Sequence, residues 1–268
     1  MMLRVPLRRR QLGLLLGATV LVGARAATAE DEIWPYLREE LFGAREIRDG
    51  AGLIALEAPE RAHDAAVVPV AVTALAPDRP IRTLHLIVDK NPAPVAAVFH
   101  LPPDGVTGSL ATRVRVNEYT TVRAIAETGD GALWMVERFV KASGGCSAPA
   151  TKDMAVAEAR LGKMKLKGGE GLVAGAPLPL EILVSHPQYT GMQIDQLSRN
   201  WIPPDHLRKI VVRWNERPVL EVDADISLSE DPALGFTLVP DGPGTLSVTA
   251  DDIKGRHFAQ SWTLGAGS

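Results

Sequence analysis

Between residues 53 and 141 the sequence is a succession of short β-branched and apolar runs, each closed by turn residues. The runs fall at 53–56, 67–72, 81–88, 95–101, 110–116, 121–127 and 133–141. Within 81–88, Ile81, Thr83 and His85 alternate with Arg82, Leu84 and Leu86, the period of a strand with two unlike faces. Asp89-Lys90-Asn91-Pro92 marks a turn and Gly129-Asp130-Gly131 a hairpin. Pro69 cannot donate to a ladder, so its run belongs at an edge or a bulge. Strands at this spacing, with turn chemistry between them, predict a β-sandwich.

A second β region follows, from 176 to about 264. Its strongest strand is Ile210-Val211-Val212-Arg213-Trp214, with others at 180–184, 218–222, 235–239, 245–250 and 257–264. It predicts a second, smaller sandwich. A long polar excursion from His186-Pro187 to Trp201-Ile202-Pro203-Pro204 interrupts it. Two short helices complete the reading. Residues 31–42 carry Ile33, Trp34, Leu37 and Leu41 near helical spacing, with Pro35 suited to the first turn and Gly43 to the stop. Residues 151–161, capped by Thr151 or Ser147, lie in a connector at 147–175 that also holds the basic stretch 163–167. The expected order is a leader at 1–29, a sandwich at 30–146, the connector, and a sandwich at 176–268.

Composition narrows the function. A net charge of −3 over 268 residues gives no electrostatic case for nucleic acid. No apolar run outside the N-terminus is long enough to span a membrane. The N-terminus reads as a secretory signal peptide: Arg8-Arg9-Arg10, an apolar stretch at 12–22, then Ala24-Arg25-Ala26 and Ala27-Thr28-Ala29 as small-x-small cleavage patterns. The adjacent arginines before Gln11-Leu12 leave a twin-arginine route open.

Export sharpens the meaning of the one cysteine. An oxidising compartment pairs structural cysteines, and Cys146 has no partner in the chain. It is therefore buried and inert, paired between molecules, or kept as a reactive thiol. Its setting, Ser143-Gly144-Gly145-Cys146-Ser147-Ala148-Pro149, has no bulky side chain. Gly144 and Gly145 give such a segment backbone freedom, the composition of a mobile arm presenting its thiol to a partner's cleft. Lys141 and Lys152 are the cations close by in sequence that could lower its pKa.

No other chemistry stands out. His63, His85, His100, His186, His206 and His257 show no metal-ligand spacing. A Cys–His pair stays open, since such pairs are spatial, and His186 and His206 read as structural. Asp223 and Asp225 alternate with apolar residues, as on a half-exposed strand. No nucleophile elbow, P-loop, dinucleotide fingerprint or haem motif occurs. No catalytic, metal or cofactor residue is therefore assigned. The chain reads as a carrier with one thiol rather than as an enzyme.

The residues also carry a resemblance. Asp89-Lys90-Asn91-Pro92-Ala93-Pro94, Thr112-Arg113-Val114-Arg115 with 120–127, and Gly144-Gly145-Cys146 resemble SoxY. His186-Pro187-Gln188-Tyr189-Thr190-Gly191, Ile202-Pro203 with His206-Leu207, and Asp231-Pro232 resemble SoxZ. The opening at 34–42 and the single-chain order are similar to fused SoxYZ-like carriers associated with quinoprotein dehydrogenases. The resemblance implies an all-β chain of two immunoglobulin-like sandwiches and a periplasmic location. It implies that Cys146 is the covalent attachment point for sulfur intermediates, on an arm made flexible by Gly144 and Gly145. The implied partners are Sox-type sulfur-oxidation enzymes, or a quinoprotein dehydrogenase and its cytochrome for which the chain would be a non-catalytic assembly module. A thiol-linked homodimer and a thiol-dependent transferase acting alone are further readings. SoxY ends in Gly-Gly-Cys-Gly-Gly, whereas here Ser147-Ala148-Pro149 follows and the chain continues, which shortens the arm's swing.

Overall fold

The computed structural model describes residues 30–103, 105–149 and 154–265. The signal peptide read at 1–29, Lys152 and the capping position Thr151 lie outside the described residues. Among those described, no helix is long and apolar enough to cross a membrane.

Among the described residues the chain is all-β apart from two helices, α1 at Glu30–Phe42 and α2 at Met154–Arg160. The first half supplies β1 Ile47–Asp49, β2 Ile54–Glu57, β3 Val68–Ala74, β4 Ile81–Val88, β5 Val95–His100, β6 Thr107–Val114, β7 Thr120–Thr128 and β8 Leu133–Val140. The second half supplies β9 Met164–Gly168, β10 Leu178–Val184, β11 Leu207–Trp214, β12 Arg217–Ala224, β13 Ala233–Leu238, β14 Gly244–Asp252 and β15 His257–Leu264. Each half is a sandwich of immunoglobulin-like type.

The halves are not separate bodies. One sheet runs β1-β8-β7-β4-β5-β12-β11-β14-β15 and the other β2-β3-β6-β13-β10-β9. The seams are β5 with β12, where Phe99 faces Val222, and β6 with β13, where Ala111 faces Gly235. Edge strands expose unpaired backbone groups, and here an edge of each half satisfies the other in both layers. One apolar cluster accordingly runs from Leu53 in the first half to Leu264 in the second.

Two strands escape the sequence pattern. β1 is only three residues long and pairs in parallel with β8. β9 lies in the stretch read as a basic connector, yet it pairs with β10 from Met164↔Val184 to Gly168↔Leu180. Its outward lysines suit an edge. Pro69 is not on an edge strand, because β3 lies between β2 and β6. Pairing with β2 stops at Ala71, however, so Pro69 sits where one flank of the strand is free.

Helix α1 lies on the outer face of the larger sheet, with Leu37 and Phe42 buried against Ile87, Ile125 and Leu133. Gly43 ends it at φ 59°, its N–H 2.9 Å from the Glu39 carbonyl. Pro35 falls inside the helix rather than in its first turn. Beneath the helix, Arg123 donates to Asp89 through Nε (2.9 and 3.0 Å) and through Nη2 (2.9 Å), and also to Glu137. The Trp34 ring covers its guanidinium at 4.3 Å. Asp89 and Arg123 are both buried. Arg123→Ala leaves that carboxylate without its main counter-charge, and the expected loss is about 3–5 kcal/mol in a urea titration. A loss below about 1 kcal/mol would show that the pair is not structural.

Candidate functional site

Cys146 does not protrude. It is fully buried, although Gly144 and Ser147 on either side are exposed. The arm turns at 145–147 and drops its sulfur into a seat built from both halves. The expectation of a presented thiol on a free arm is not met in this conformation, and the reason is a dense set of main-chain contacts.

The first half provides the floor. Gly144 N–H donates to the Asn117 carbonyl at 2.8 Å and Gly145 N–H to the Val116 carbonyl at 3.0 Å. Asn91 braces that segment. Its Oδ1 accepts from Asn117 N–H (2.9 Å), and its Nδ2 donates to the Arg115 carbonyl (2.7 Å) and to Ser227 Oγ (2.9 Å). Gly145 is required by close approach. A Cβ there would fall 2.1 Å from the Ala65 carbonyl oxygen and 2.7 Å from that of Val116. Gly144 is required by its left-handed φ of 81°, in otherwise open space.

The second half closes the seat. Thr190 Oγ1 donates to the Cys146 carbonyl at 2.7 Å and Gln193 Nε2 to that of Ala148 at 3.1 Å. Arg115 spans the two halves, with Nη1 on the Gly145 carbonyl (3.0 Å) and Nη2 on the Gln188 carbonyl (3.3 Å). Gln188, at φ 48°, is buried and receives Leu207 N–H on Oε1 at 2.7 Å.

Below this loop, His186 is buried against Asp205 and Asp252, its Nε2 3.7 and 3.5 Å from their carboxylates. The three present ligand atoms within 4.8 Å of one another. Arg256 donates to both carboxylates and Lys254 reaches Asp205 at 2.7 Å, so cationic side chains already supply the positive charge there. Burial holds the His186 pKa below its ordinary value, partly opposed by Asp205. The cluster anchors the root of the loop that carries Gln188, Thr190 and Gln193.

Burial also sets the chemistry of the thiol. Its pKa is pushed up from 9.0 to about 11 by desolvation, partly opposed by the charge of Arg115. At pH 7 a thiol of that pKa is ionised in about one molecule in ten thousand. The seated sulfur is thus a poor nucleophile. Lys141, near in sequence, is engaged by Glu60 at 2.6 Å. His85 packs edge-on to Phe42 at 5.0 Å, and His100 binds Asp223 at 2.8 Å.

A pH dependence follows. The seated thiol stays protonated up to about pH 11, whereas a released one ionises from about pH 9. Seating is therefore fully stable below pH 9 and weakens about tenfold per pH unit from 9 to 11. Iodoacetamide labelling of Cys146 should climb more steeply over that range than labelling of a free thiol. Parallel profiles would refute the seated state.

The sequence signals for this seat were present but dispersed. Arg115 stands between Val114 and Val116 in an apolar strand end, and Gln188, Thr190 and Gln193 are amides and a hydroxyl in a stretch without strand periodicity. Only the fold brings them to the cysteine.

Family comparison divides the chain at the same place. A model described as "Sulfur oxidation protein SoxY" matches residues 38–146. One described as "Sulphur oxidation protein SoxZ" matches residues 170–263. A search of curated proteins found no match. Among solved structures, the sulfur carrier protein SoxY from Chlorobium limicola f thiosulfatophilum is 24% identical, with a TM-score of 0.36, over 42% of this chain and 94% of that one. A superoxide reductase (neelaredoxin) from Ignicoccus hospitalis is 17% identical, with a TM-score of 0.30, over 33% of this chain and 78% of that one.

Proposed function

From a chain that belongs to the SoxY and SoxZ families, joined in one polypeptide, we propose a carrier that holds sulfur intermediates covalently on Cys146 for partner oxidoreductases. The observation that carries the reading is the seat itself. A single thiol lies at the end of the SoxY-matched segment, held almost wholly through main-chain carbonyls and N–H groups that the arm can exchange for water. Downstream, α2 buries none of its residues. Undocking at Gly144 returns the thiol to water and to its ordinary pKa.

Loading then proceeds on the released thiolate. With thiosulfate, a sulfur–sulfur bond forms between Cys146 Sγ and the terminal sulfur of the anion. The two electrons pass to the redox centre of a partner enzyme, and the thiol proton goes to solvent. Later partners oxidise or release the bound sulfur, and the carrier performs no redox step itself. The basic and apolar N-terminal pattern supports periplasmic residence, which fractionation of expressing cells would test.

Tetrathionate provides a test without an enzyme. Released thiolate attacks a central sulfur, forming Cys–S–S–SO3− and expelling thiosulfate. Intact mass should show one such group on the wild type and none on Cys146→Ser. No adduct on the wild type after prolonged incubation at pH 9 would refute the carrier. The buried thiol gives one point to a second reading, an assembly module for a quinoprotein dehydrogenase system in which the sulfur is incidental. Full complementation of a deletion strain by Cys146→Ser would establish that reading instead. A thiol-linked homodimer requires the same release of the arm.

A further inference from the structure

A cavity of about 330 Å3 opens between the two sheets at the end of the first half remote from Cys146. The strands fix that polarity. The arm is held at Val116, just beyond the end of β6, whereas the cavity is met by Thr107 and Leu110 near the start of β6 and by Val72 and Ala74 near the end of β3. Leu84 of β4, Leu101 and Val106 add to its apolar wall. Protein interiors rarely leave a void much larger than a water molecule. A void of this size, mostly apolar with a few polar groups, has the character of a small-molecule site.

The charged groups that line it are Arg79 and Arg82. Among the described residues, neither forms an ion pair with a carboxylate. Asp130 acts on Arg79 without an ion pair, and its carboxylate accepts from Thr128 Oγ1 (2.6 Å) and Ala132 N–H (3.2 Å). Arg79 is held over the Trp134 ring at 4.2 Å. This contact limits its rotamers and leaves guanidinium donors uncommitted. Two cations that form no ion pair among the described residues, beside a largely apolar chamber, complement a molecule with an apolar body and one anionic end.

We propose that this cavity binds an amphipathic anion, its apolar chain between the sheets and its carboxylate or sulfonate on Arg79 and Arg82. The site is separate from the thiol and does not depend on the carrier reading. Octanoate is the probe, with octanol as its neutral counterpart, titrated calorimetrically into the full chain. Octanoate should bind one-to-one and shift the methyl resonances of Val72, Leu84 and Leu110. Octanol should bind at least about tenfold more weakly, and the Arg79→Ala/Arg82→Ala double variant should lose roughly tenfold to a hundredfold in octanoate affinity. Ala74→Phe, which fills the chamber, should abolish binding, whereas Cys146→Ser should leave it unchanged. The absence of saturable octanoate binding at millimolar concentration would overturn the proposal. So would equal affinity for octanol, or octanoate shifts confined to other methyl groups.

Discussion

Replacing Gly145 by alanine is expected to expel the arm and free the thiol. The new methyl carbon would lie 2.1 Å from the Ala65 carbonyl oxygen, and both that carbonyl and that of Val116 are main-chain atoms that cannot rotate aside. Overpacking of this kind costs about 1–3 kcal/mol when the surroundings can shift. Here the cheaper response is to abandon the seat. Cys146 then returns from a pKa of about 11 towards 9.0, and its alkylation rate at neutral pH should rise by up to about a hundredfold. The melting temperature should move little, because the sheets lose nothing. Gly144→Ala is the contrasting variant. It meets no atom within 4 Å, and its cost is the left-handed φ of 81° alone, about 1 kcal/mol. Its rate increase should be several-fold at most. Equal, wild-type rates in both variants would show that the arm is not seated in solution.

Arg115→Ala should be the more damaging change to stability. The guanidinium is 2% exposed and joins the Gly145 and Gln188 carbonyls across the two halves. Among the described residues no carboxylate neutralises it at contact distance; Glu230 and Asp64 act from further away. Truncation leaves two acceptors without a donor and a void where the side chain lay. The expected loss is roughly 3 kcal/mol or more. Lysine should recover less than half, since one ammonium cannot reproduce a planar fork between two carbonyls. The effects on the thiol oppose each other. Removing the charge raises the pKa of the seated sulfur, but unseating the arm exposes it. The seated thiol is already almost un-ionised, so exposure dominates and labelling should accelerate. An unchanged urea midpoint for Arg115→Ala would exclude the bridging role.

Alternation and turns made the strands legible in the sequence because side-chain period and glycine or proline chemistry are local properties. Residues 81–88 emerge as β4 with the same bounds. The lone cysteine with its two glycines was visible for the same reason. What stayed hidden is set by pairing at long range. Nothing local marks Ala97–His100 and Glu221–Ala224 as partners, or Lys165 and Lys167 as the outward face of an edge strand. The same limit applies at the site. A glycine-rich segment is locally compatible with a free arm and with a close-packed one. The choice rests on Ala65, Arg115 and Thr190, distant in sequence, whose contacts with the arm hold it down.

Because both sheets run unbroken through the two halves, the seat has no jaw to open. The halves cannot hinge apart without tearing ladders in two layers at once. Exposure of the sulfur is therefore a local fluctuation of the arm, uncoupled from global unfolding. Labelling of Cys146 in low concentrations of urea should then vary only weakly with denaturant, while calorimetry of the whole chain shows a single transition.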